Sequence, residues 1–286
     1  MTPLSEAAPA KVNLTLAVRG RRLDGYHELH SIVAFAGCGD ILTLQPGADF
    51  ALDCDGPFRS AIDAENLVAK AMHRVASVAP GLVTGTFRLT KNLPVAAGLG
   101  GGSADAAAAL RLLRRANPGL AATIDWPAIA ASIGADVTVC LESLAALMTG
   151  IGERVTPLER LPKAHIVLAN PGVPLRTVDV FRALEAGPVP ENLQPPELPR
   201  PRDIAALIGL LEAGTNDLEA AAIVLCPVVG TVLARLTALP GARLARMSGS
   251  GPTCFAIFEH ASEAYAAATA LAAAHPSWWV QDAALS

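Results

Sequence analysis

Short stretches of the chain alternate apolar and polar residues, whereas a longer one repeats apolar residues at helical spacing. Because successive side chains of a strand point to opposite faces, the alternation over residues 12–18, 40–44 and 86–93 predicts half-buried strands. Residues 64–79 place apolar side chains three and four positions apart, which predicts an amphipathic helix. Pro80, followed by a glycine, is expected to end that helix.

The strongest helical pattern covers residues 103–116 and is rich in alanine. Ser103 is the expected N-cap, and Asp105 suits the positive end of the helix dipole. A further helix is predicted over residues 127–133, closed by Gly134.

The second half of the sequence has a different organisation. Residues 187–202 are rich in proline, so they predict a long surface loop that cannot hold a helix or a central strand. Helices, a strand–glycine turn–strand unit, an alanine helix and a terminal strand follow. This order predicts an α+β class, with helices packed on an antiparallel sheet. The two halves are expected to form separate domains, residues 1–152 and 153–286.

Composition narrows the functional classes. The chain has 286 residues, of which 52% are hydrophobic and 17% are charged, so a sizeable core is expected. The net charge of −4, with no basic tract longer than residues 19–22, argues against a nucleic-acid partner. Five scattered cysteines without a CxxC pair indicate reduced thiols. No signal-peptide layout or long apolar run occurs, so we expect a cytoplasmic protein without a membrane partner.

Four glycines crowd the approach to the alanine-rich helix: Gly98, Gly100, Gly101 and Gly102. A tight turn alone would need one or two. A glycine loop that opens onto a helix N-terminus presents backbone N–H groups and a partial positive charge to an anion, which predicts phosphate binding. The dinucleotide fingerprint, the P-loop and the protein-kinase motifs are all absent, so this is a phosphate loop of another type.

The loop and two further motifs carry a family resemblance. The three segments are APAKVNLTL at residues 8–16, PVAAGLGGGSADAA at residues 94–107 and MSGSGPTCFAIF at residues 247–258. In this order they resemble the GHMP kinases, which include galactokinase and the homoserine and mevalonate kinases. The resemblance implies an N-terminal α/β domain similar to ribosomal protein S5 domain 2, a ferredoxin-like C-terminal domain, and the use of ATP with Mg²⁺.

Other segments narrow the resemblance. They are DGYHELHS at residues 24–31, GADVTVC at 134–140, NPGVPLRTVDVF at 170–181 and NDLE at 216–219. They resemble the branch whose members phosphorylate a hydroxyl of a cytidine diphosphate-linked methylerythritol, a small-molecule substrate. Two alternatives stay open: another small-molecule kinase of the mevalonate or homoserine type, and a non-catalytic ATP-binding regulator. Both a monomer and a homodimer are compatible with the sequence.

The resemblance implies two catalytic residues. Asp136 would be the base that accepts the proton of the substrate hydroxyl, and Lys11 would keep that carboxylate ionised and polarise the hydroxyl. From the residues alone, Asp136 could instead cap a helix, and Lys11 could lie on an exposed strand edge.

The resemblance also implies the ATP contacts. The adenine is expected near Asn66 and Lys91, which the pattern alone would assign to a polar helix face and to a strand end. The phosphates are expected along the glycine loop, on Pro94, Val95, Ala96, Ala97, Gly98, Leu99, Gly100, Gly101, Gly102, Ser103 and Ala104. The Ser103 hydroxyl could serve as the helix cap or as a contact for phosphate or magnesium.

The acceptor substrate is expected at a different set of residues. The resemblance places its cytosine between Tyr26 and Phe181, the edge of the base on His27, and the polyol on Asn13. Core packing is the alternative for both aromatic side chains. His27 and His30 have the spacing of a metal-binding pair but lack a nearby third ligand, so no metal site is predicted.

Overall fold

The computed structural model describes residues 2–47, 49–61 and 66–286. Its helices are α1 (Leu67–Val78), α2 (Gly101–Ala116), α3 (Trp126–Ile133), α4 (Ala135–Glu142), α5 (Thr177–Ala183), α6 (Ile204–Ala213), α7 (Glu219–Leu225), α8 (Val228–Thr237) and α9 (Ala261–Ala274). Its strands are β1 (Leu4–Asn13), β2 (Ala17–Arg21), β3 (His27–Gly47), β4 (Ala51–Asp55), β5 (Thr84–Thr90), β6 (Ala146–Gly150), β7 (Arg154–Pro157), β8 (Ala164–Asn170), β9 (Leu244–Met247), β10 (Cys254–Phe258) and β11 (Trp279–Leu285).

The chain folds into two compact units that alternate along the sequence. The first unit contains the segment ending at Ala10, Gly39–Val95 and Gly100–Ser143. The second contains Lys11–Cys38, Ala96–Leu99 and Leu144–Ser286. The sequence predicts two domains that follow one another along the chain, with a boundary at residue 152. That division stays a prediction.

In the first unit, helices α1 to α4 pack on one another beside β4, β5, the second half of β3 and most of β1. Strand β5 pairs antiparallel with the second half of β3, from Ile41 opposite Thr90 onward, and parallel with β4. Helix α2 is the centre of this unit, because residues 104–110 are all buried. Alanine at most of these positions allows the neighbouring helices to approach closely, and this arrangement fixes the first turn of α2.

In the second unit, β11, β8, β10 and β9 form an antiparallel series. The first half of β3 pairs with β2 and β6, and β7 pairs with β6. Helices α7, α8 and α9 contribute buried apolar residues to a core that includes Val167, Val232, Phe258 and Leu271. The predicted α+β class is confirmed.

Most of the predicted helices, and the residues predicted to end them, are confirmed. Helix α3 ends where the N–H of Gly134 donates to the carbonyl of Ala130 at 3.2 Å, and residues 187–202 contain no helix or named strand. One predicted strand is wrong: residues 12–18 divide between β1 and β2. The chain turns between them because the N–H groups of Leu14 and Leu16 donate to the carbonyls of Ile32 and Thr215, respectively.

None of the described helices combines the length and the apolar composition that a bilayer crossing requires.

Candidate active site

Parts of all three family motifs, residues 11–16, 96–99 and 247–258, meet within the second unit. The N–H of Lys11, near the end of β1, donates to the carbonyl of Leu99 in the glycine loop at 2.9 Å. The N–H of Asn13 donates to the hydroxyl of Ser248 at 3.1 Å, and that hydroxyl donates to the carbonyl of Gly98 at 2.8 Å. Segments more than 80 residues apart in sequence are therefore joined by direct hydrogen bonds, as expected of a shared site.

Lys11 and Asn13 carry the polar side chains of this strand end. Lys11 is 4% exposed, and its ammonium donates to Oδ1 of Asn13 at 3.2 Å. The amide of Asn13 donates to the hydroxyl of Ser31 at 2.8 Å, which in turn donates to the carbonyl of Thr15 at 2.6 Å. Lys11 is thus a buried lysine held in a polar network and not an exposed edge residue. Its catalytic role stays a prediction.

Asn216 fixes the glycine turn before β10, and Arg246 links the preceding strand β9 to other segments; the motifs did not assign a role to either residue. The amide of Asn216 donates to the carbonyls of Met247 and Gly249, at 2.8 Å each. The guanidinium of Arg246 donates to the carbonyls of Leu14, Leu211 and Gly214, also at 2.8 Å each. Burial lowers the pKa of Arg246, and Glu219 offsets part of that effect. In the sequence, Asn216 was part of the NDLE segment that carries the family resemblance, but that segment did not predict its structural role. No sequence signal pointed to Arg246.

The glycine loop adopts left-handed backbone at alternate positions. The φ angles are 52° at Ala96, 74° at Gly98 and 60° at Gly100. Gly100 is the N-cap, so α2 begins at Gly101 and the predicted start at Ser103 is wrong. Glycine can take this cap position because it tolerates positive φ, whereas Ser103 lies inside the first turn. No side chain at the cap then competes for the N–H groups that begin the helix.

Gly98 is the residue of the loop that tolerates a side chain least. A Cβ built there would overlap the carbonyl oxygen of Ser248 and lie 2.9 Å from that of Gly251, at a φ of 74°. We expect Gly98→Ala to cost about 1–2 kcal/mol from the left-handed backbone, plus the clash. At roughly 2–4 °C per kcal/mol, calorimetry should record a clearly lower melting temperature.

The control for Gly98→Ala is Gly119→Ala. An added Cβ at Gly119 meets nothing within 4 Å, and its φ lies outside the left-handed range. Its melting temperature should match that of the unmodified protein. Equal melting temperatures for both variants would contradict the role given to Gly98.

The two predicted adenine residues lie in the first unit. Asn66 is the N-cap of α1, where its Oδ1 accepts the N–H of Val68 at 2.7 Å. Lys91 is buried, and its ammonium binds Asp40 and, at 2.7 Å, Asp105. Both side chains therefore have structural partners, and their contact with adenine stays a prediction.

Asp136 belongs to the first unit and lies in the first turn of α4, half-buried. Gly134 serves both as the C-cap of α3 and as the N-cap of α4, so Asp136 follows directly on a junction between two helices. A carboxylate in a first turn interacts favourably with the helix dipole. The catalytic role of Asp136, including its pairing with Lys11, stays a prediction.

The aromatic residues predicted to hold cytosine lie in the second unit. Tyr26 is 60% exposed in the turn before β3, and the rings of His27 and Phe181 stack with centroids 4.9 Å apart. A base stacked on Phe181 must therefore displace His27 or use the opposite ring face. Burial, assisted by the charge of Arg21, lowers the pKa of His27. Its imidazole is thus neutral at pH 7 and can both donate and accept a hydrogen bond.

Comparisons with known proteins agree with the order of the motifs. The model of the GHMP kinases N terminal domain matches residues 66–143, and that of the GHMP kinases C terminal domain matches residues 196–277. A 4-diphosphocytidyl-2-C-methyl-D-erythritol kinase of Rhodopseudomonas palustris strain BisA53 is 53% identical over 299 residues. That alignment covers 100% of this chain and 99% of the relative.

Solved structures give the same assignment. A crystal structure of 4-(cytidine 5'-diphospho)-2C-methyl-D-erythritol kinase superposes with a TM-score of 0.79 at 36% identity, covering 99% of both chains. A homoserine kinase from Cytophaga hutchinsonii superposes with a TM-score of 0.67 at 19% identity, covering 100% of this chain and 95% of the other, which shows the shared fold alone. The chain belongs to the GHMP kinases and, within them, to the family of 4-diphosphocytidyl-2-C-methyl-D-erythritol kinases.

Proposed function

We propose that this protein transfers the γ-phosphoryl group of ATP to a hydroxyl of 4-diphosphocytidyl-2-C-methyl-D-erythritol, giving the 2-phosphate and ADP. The observation that carries the proposal is the 53% identity to a kinase of that name over the whole chain. The reaction belongs to the non-mevalonate route of isoprenoid biosynthesis. Kinases of the mevalonate or homoserine type are supported only at the level of the fold.

The chemistry is assigned to Asp136 and Lys11. The substrate oxygen attacks the γ-phosphorus, the bond from that phosphorus to the bridging oxygen of ADP breaks, and the hydroxyl proton passes to Asp136. The Lys11 ammonium, held by Asn13, is assigned to polarise the hydroxyl. The burial of Lys11 on a strand supports this assignment, because a buried ammonium has to be compensated by neighbouring polar groups.

The start of α2 fits the phosphates of ATP. The first helical bond runs from the N–H of Ala104 to the carbonyl of Gly100 at 2.9 Å. The N–H groups of Gly101, Gly102 and Ser103 therefore precede the intrahelical ladder and face a ligand that approaches the helix end. Ser103 supplies the hydroxyl suited to a phosphate or to Mg²⁺. Bound Mg²⁺ would neutralise phosphate charge during transfer.

The acceptor side is assigned to Asn13, Tyr26, His27 and Phe181. An exposed tyrosine and a histidine–phenylalanine stack offer aromatic faces to cytosine, and the neutral imidazole of His27 can read the edge of the base. The five cysteines are scattered along the sequence without a CxxC pair, which supports a place in the reducing cytoplasm. We take the protein to be a monomer or a homodimer.

The proposal is tested by ADP release from the purified protein. ATP is supplied with the cytidylyl-methylerythritol, mevalonate or homoserine, and the phosphorylated position is assigned by phosphorus-31 NMR. We expect turnover with the first alcohol alone and phosphate on its 2-hydroxyl. Turnover with mevalonate or homoserine instead would identify another kinase of the superfamily. ATP binding without ADP release from any of the three would identify a regulator.

A further inference from the structure

The turn before β3 carries the exposed Tyr26. The N–H of Gly25 donates to the carbonyl of Arg22 at 3.1 Å, and the N–H of Arg22 donates to the carbonyl of Tyr26 at 2.8 Å. We call residues 22–26 the tyrosine turn. Because more than half of the Tyr26 side chain is exposed, the position of its ring depends on the backbone of this turn more than on packing.

The side chain of Arg22 crosses the tyrosine turn. Its Nε donates to Oδ2 of Asp24 at 3.1 Å, and its Nη1 donates to Oε2 of Glu28 at 3.0 Å. Asp24 lies inside the turn, whereas Glu28 lies on β3 just beyond it. A guanidinium is planar and directs its N–H donors along fixed lines, so this side chain holds the two carboxylates at a set separation.

Both carboxylates also hold the backbone. Oδ1 of Asp24 accepts the N–H of Tyr26 at 3.1 Å, and Oε1 of Glu28 accepts the N–H of Gly150 on β6 at 3.1 Å. Each carboxylate therefore uses one oxygen for Arg22 and the other for a backbone group. Through these bonds, Arg22 connects the backbone of Tyr26 to the sheet of the second unit.

The consequence of this network concerns the ring of Tyr26 and not the stability of the fold. Exposed ion pairs contribute little to the free energy of unfolding, and the Asp24 side chain is 47% exposed. A base that stacks on a ring binds more tightly when the ring is held in place beforehand, because less conformational entropy is lost on binding. Holding the backbone of Tyr26 therefore acts on substrate affinity.

We propose that Arg22 is a positioning residue for the acceptor substrate, acting through the tyrosine turn on the ring of Tyr26. The inference rests on the proposed function in taking cytosine as the base that stacks on this ring. The guanidinium holds Asp24 and Glu28, and Asp24 holds the N–H of Tyr26. The loss of Arg22 then weakens binding of the acceptor substrate without changing the transfer step or the binding of ATP.

Steady-state kinetics of Arg22→Gln test the proposal. The KM for the cytidylyl substrate should rise by about three- to tenfold, since two exposed ion pairs are lost. Both kcat and the KM for ATP should stay unchanged, because the lost interaction serves binding of the acceptor alone. Arg22→Lys should raise the same KM, since an ammonium keeps the charge but lacks the planar fork. A normal KM in Arg22→Lys would show that Arg22 acts by its charge alone, and it would overturn the proposal.

Arg154→Gln is the matched control, because it removes an arginine from the same Glu28 and leaves both contacts of Arg22 in place. Nη2 of Arg154 lies 3.4 Å from Oε1 of Glu28, and its Nε lies 3.4 Å from Oε1 of Glu153. Both substrates should keep their KM values in this variant. An equal rise in the KM for the cytidylyl substrate would trace the effect to lost positive charge and contradict the positioning role.

A double-mutant cycle with Tyr26→Ala separates an action through the ring from an independent one. If Arg22 acts through Tyr26, Arg22→Gln should add nothing once the ring is gone, so the double variant should have the KM of Tyr26→Ala. If Arg22 bound the substrate directly or only maintained the fold, Arg22→Gln would raise the KM by the same factor in both backgrounds. That result would overturn the proposal.

Fluorine-19 NMR of protein labelled with fluorotyrosine gives a readout that needs no substrate. The sequence contains two tyrosines, Tyr26 and Tyr265, whose signals are assigned with Tyr265→Phe. In Arg22→Gln the Tyr26 signal should shift or broaden, because the tyrosine turn is less well held, while the signal of Tyr265 on α9 stays unchanged. An unchanged Tyr26 signal would contradict the proposal.

The outcomes distinguish this inference from the proposed function. If the unmodified protein releases no ADP with the cytidylyl substrate, the proposed function fails and this inference fails with it. If the unmodified protein turns over that substrate and a folded Arg22→Gln keeps the same KM, only this inference fails.

Discussion

Asp136→Asn is expected to lower kcat by about 10²–10⁴-fold while ATP affinity stays nearly unchanged. Asparagine keeps the size of the side chain in the first turn of α4 but cannot accept the proton of the substrate hydroxyl. The fold should survive, because losing a first-turn carboxylate costs only about 0.3–1 kcal/mol. Steady-state kinetics with the cytidylyl substrate, together with ATP binding and the melting temperature, measure the three effects separately.

Glu142→Gln provides the matched control, because it removes a carboxylate from the other end of the same helix. Glu142 is exposed, and a nitrogen of the Arg114 guanidinium lies 3.9 Å from its carboxylate. Its kcat should equal that of the unmodified protein. Near-normal turnover in Asp136→Asn would instead show that Asp136 only stabilises the start of α4, and the catalytic assignment would then be abandoned.

Local patterns predicted those elements whose ends are fixed by nearby residues. Helix α1 ends at Val78 ahead of Pro80, and α3 ends at Gly134, as the sequence indicated. Both helix ends are signalled by residues close in sequence. The ring of proline cannot continue a helix, and glycine, which lacks a side chain, readily takes the backbone conformation that ends one. The glycine loop was also placed correctly before α2, because its signal, a cluster of glycines, is local in sequence.

The start of α2 shows where such reasoning fails. Serine is a common N-cap, so the pattern favoured Ser103, but the cap is set by backbone conformation at Gly100. Four glycines in five positions do not reveal which of them takes a positive φ. That choice depends on partners far away in the sequence, such as Ser248, whose hydroxyl binds the Gly98 carbonyl.

The sequence patterns also failed to predict which polar residues are buried. Arg246 and Asp40 look like ordinary charged positions within strands, yet both are buried and bind several groups. Their partners lie up to 232 residues away in sequence, so no spacing rule could have paired them. Strand β3 was missed over its first half because residues 32–36 are all buried and therefore show no alternation.

The acceptor substrate should lose affinity when an aromatic ring is removed from its proposed cytosine site. Stacking of a base on an aromatic side chain contributes roughly 1–3 kcal/mol, so Tyr26→Ala should raise the KM for the cytidylyl substrate by about 5- to 150-fold. The KM for ATP should not change, because the adenine is assigned to Asn66 and Lys91. Phe181→Ala should show the same selectivity, with an additional loss of stability because Phe181 also packs against the core of the second unit.

Tyr26 gives the cleaner test because its exposure separates binding from packing. At 60% exposed it contributes little to the core, so Tyr26→Ala should keep the melting temperature of the unmodified protein. The sequence contains one other tyrosine, Tyr265 on α9, which is 64% exposed and serves as the matched control. Tyr265→Ala should leave both KM values unchanged. A packing role for Tyr26 would instead lower the melting temperature and affect both substrates alike, and an unchanged KM for the cytidylyl substrate in a folded Tyr26→Ala would show that cytosine binds elsewhere.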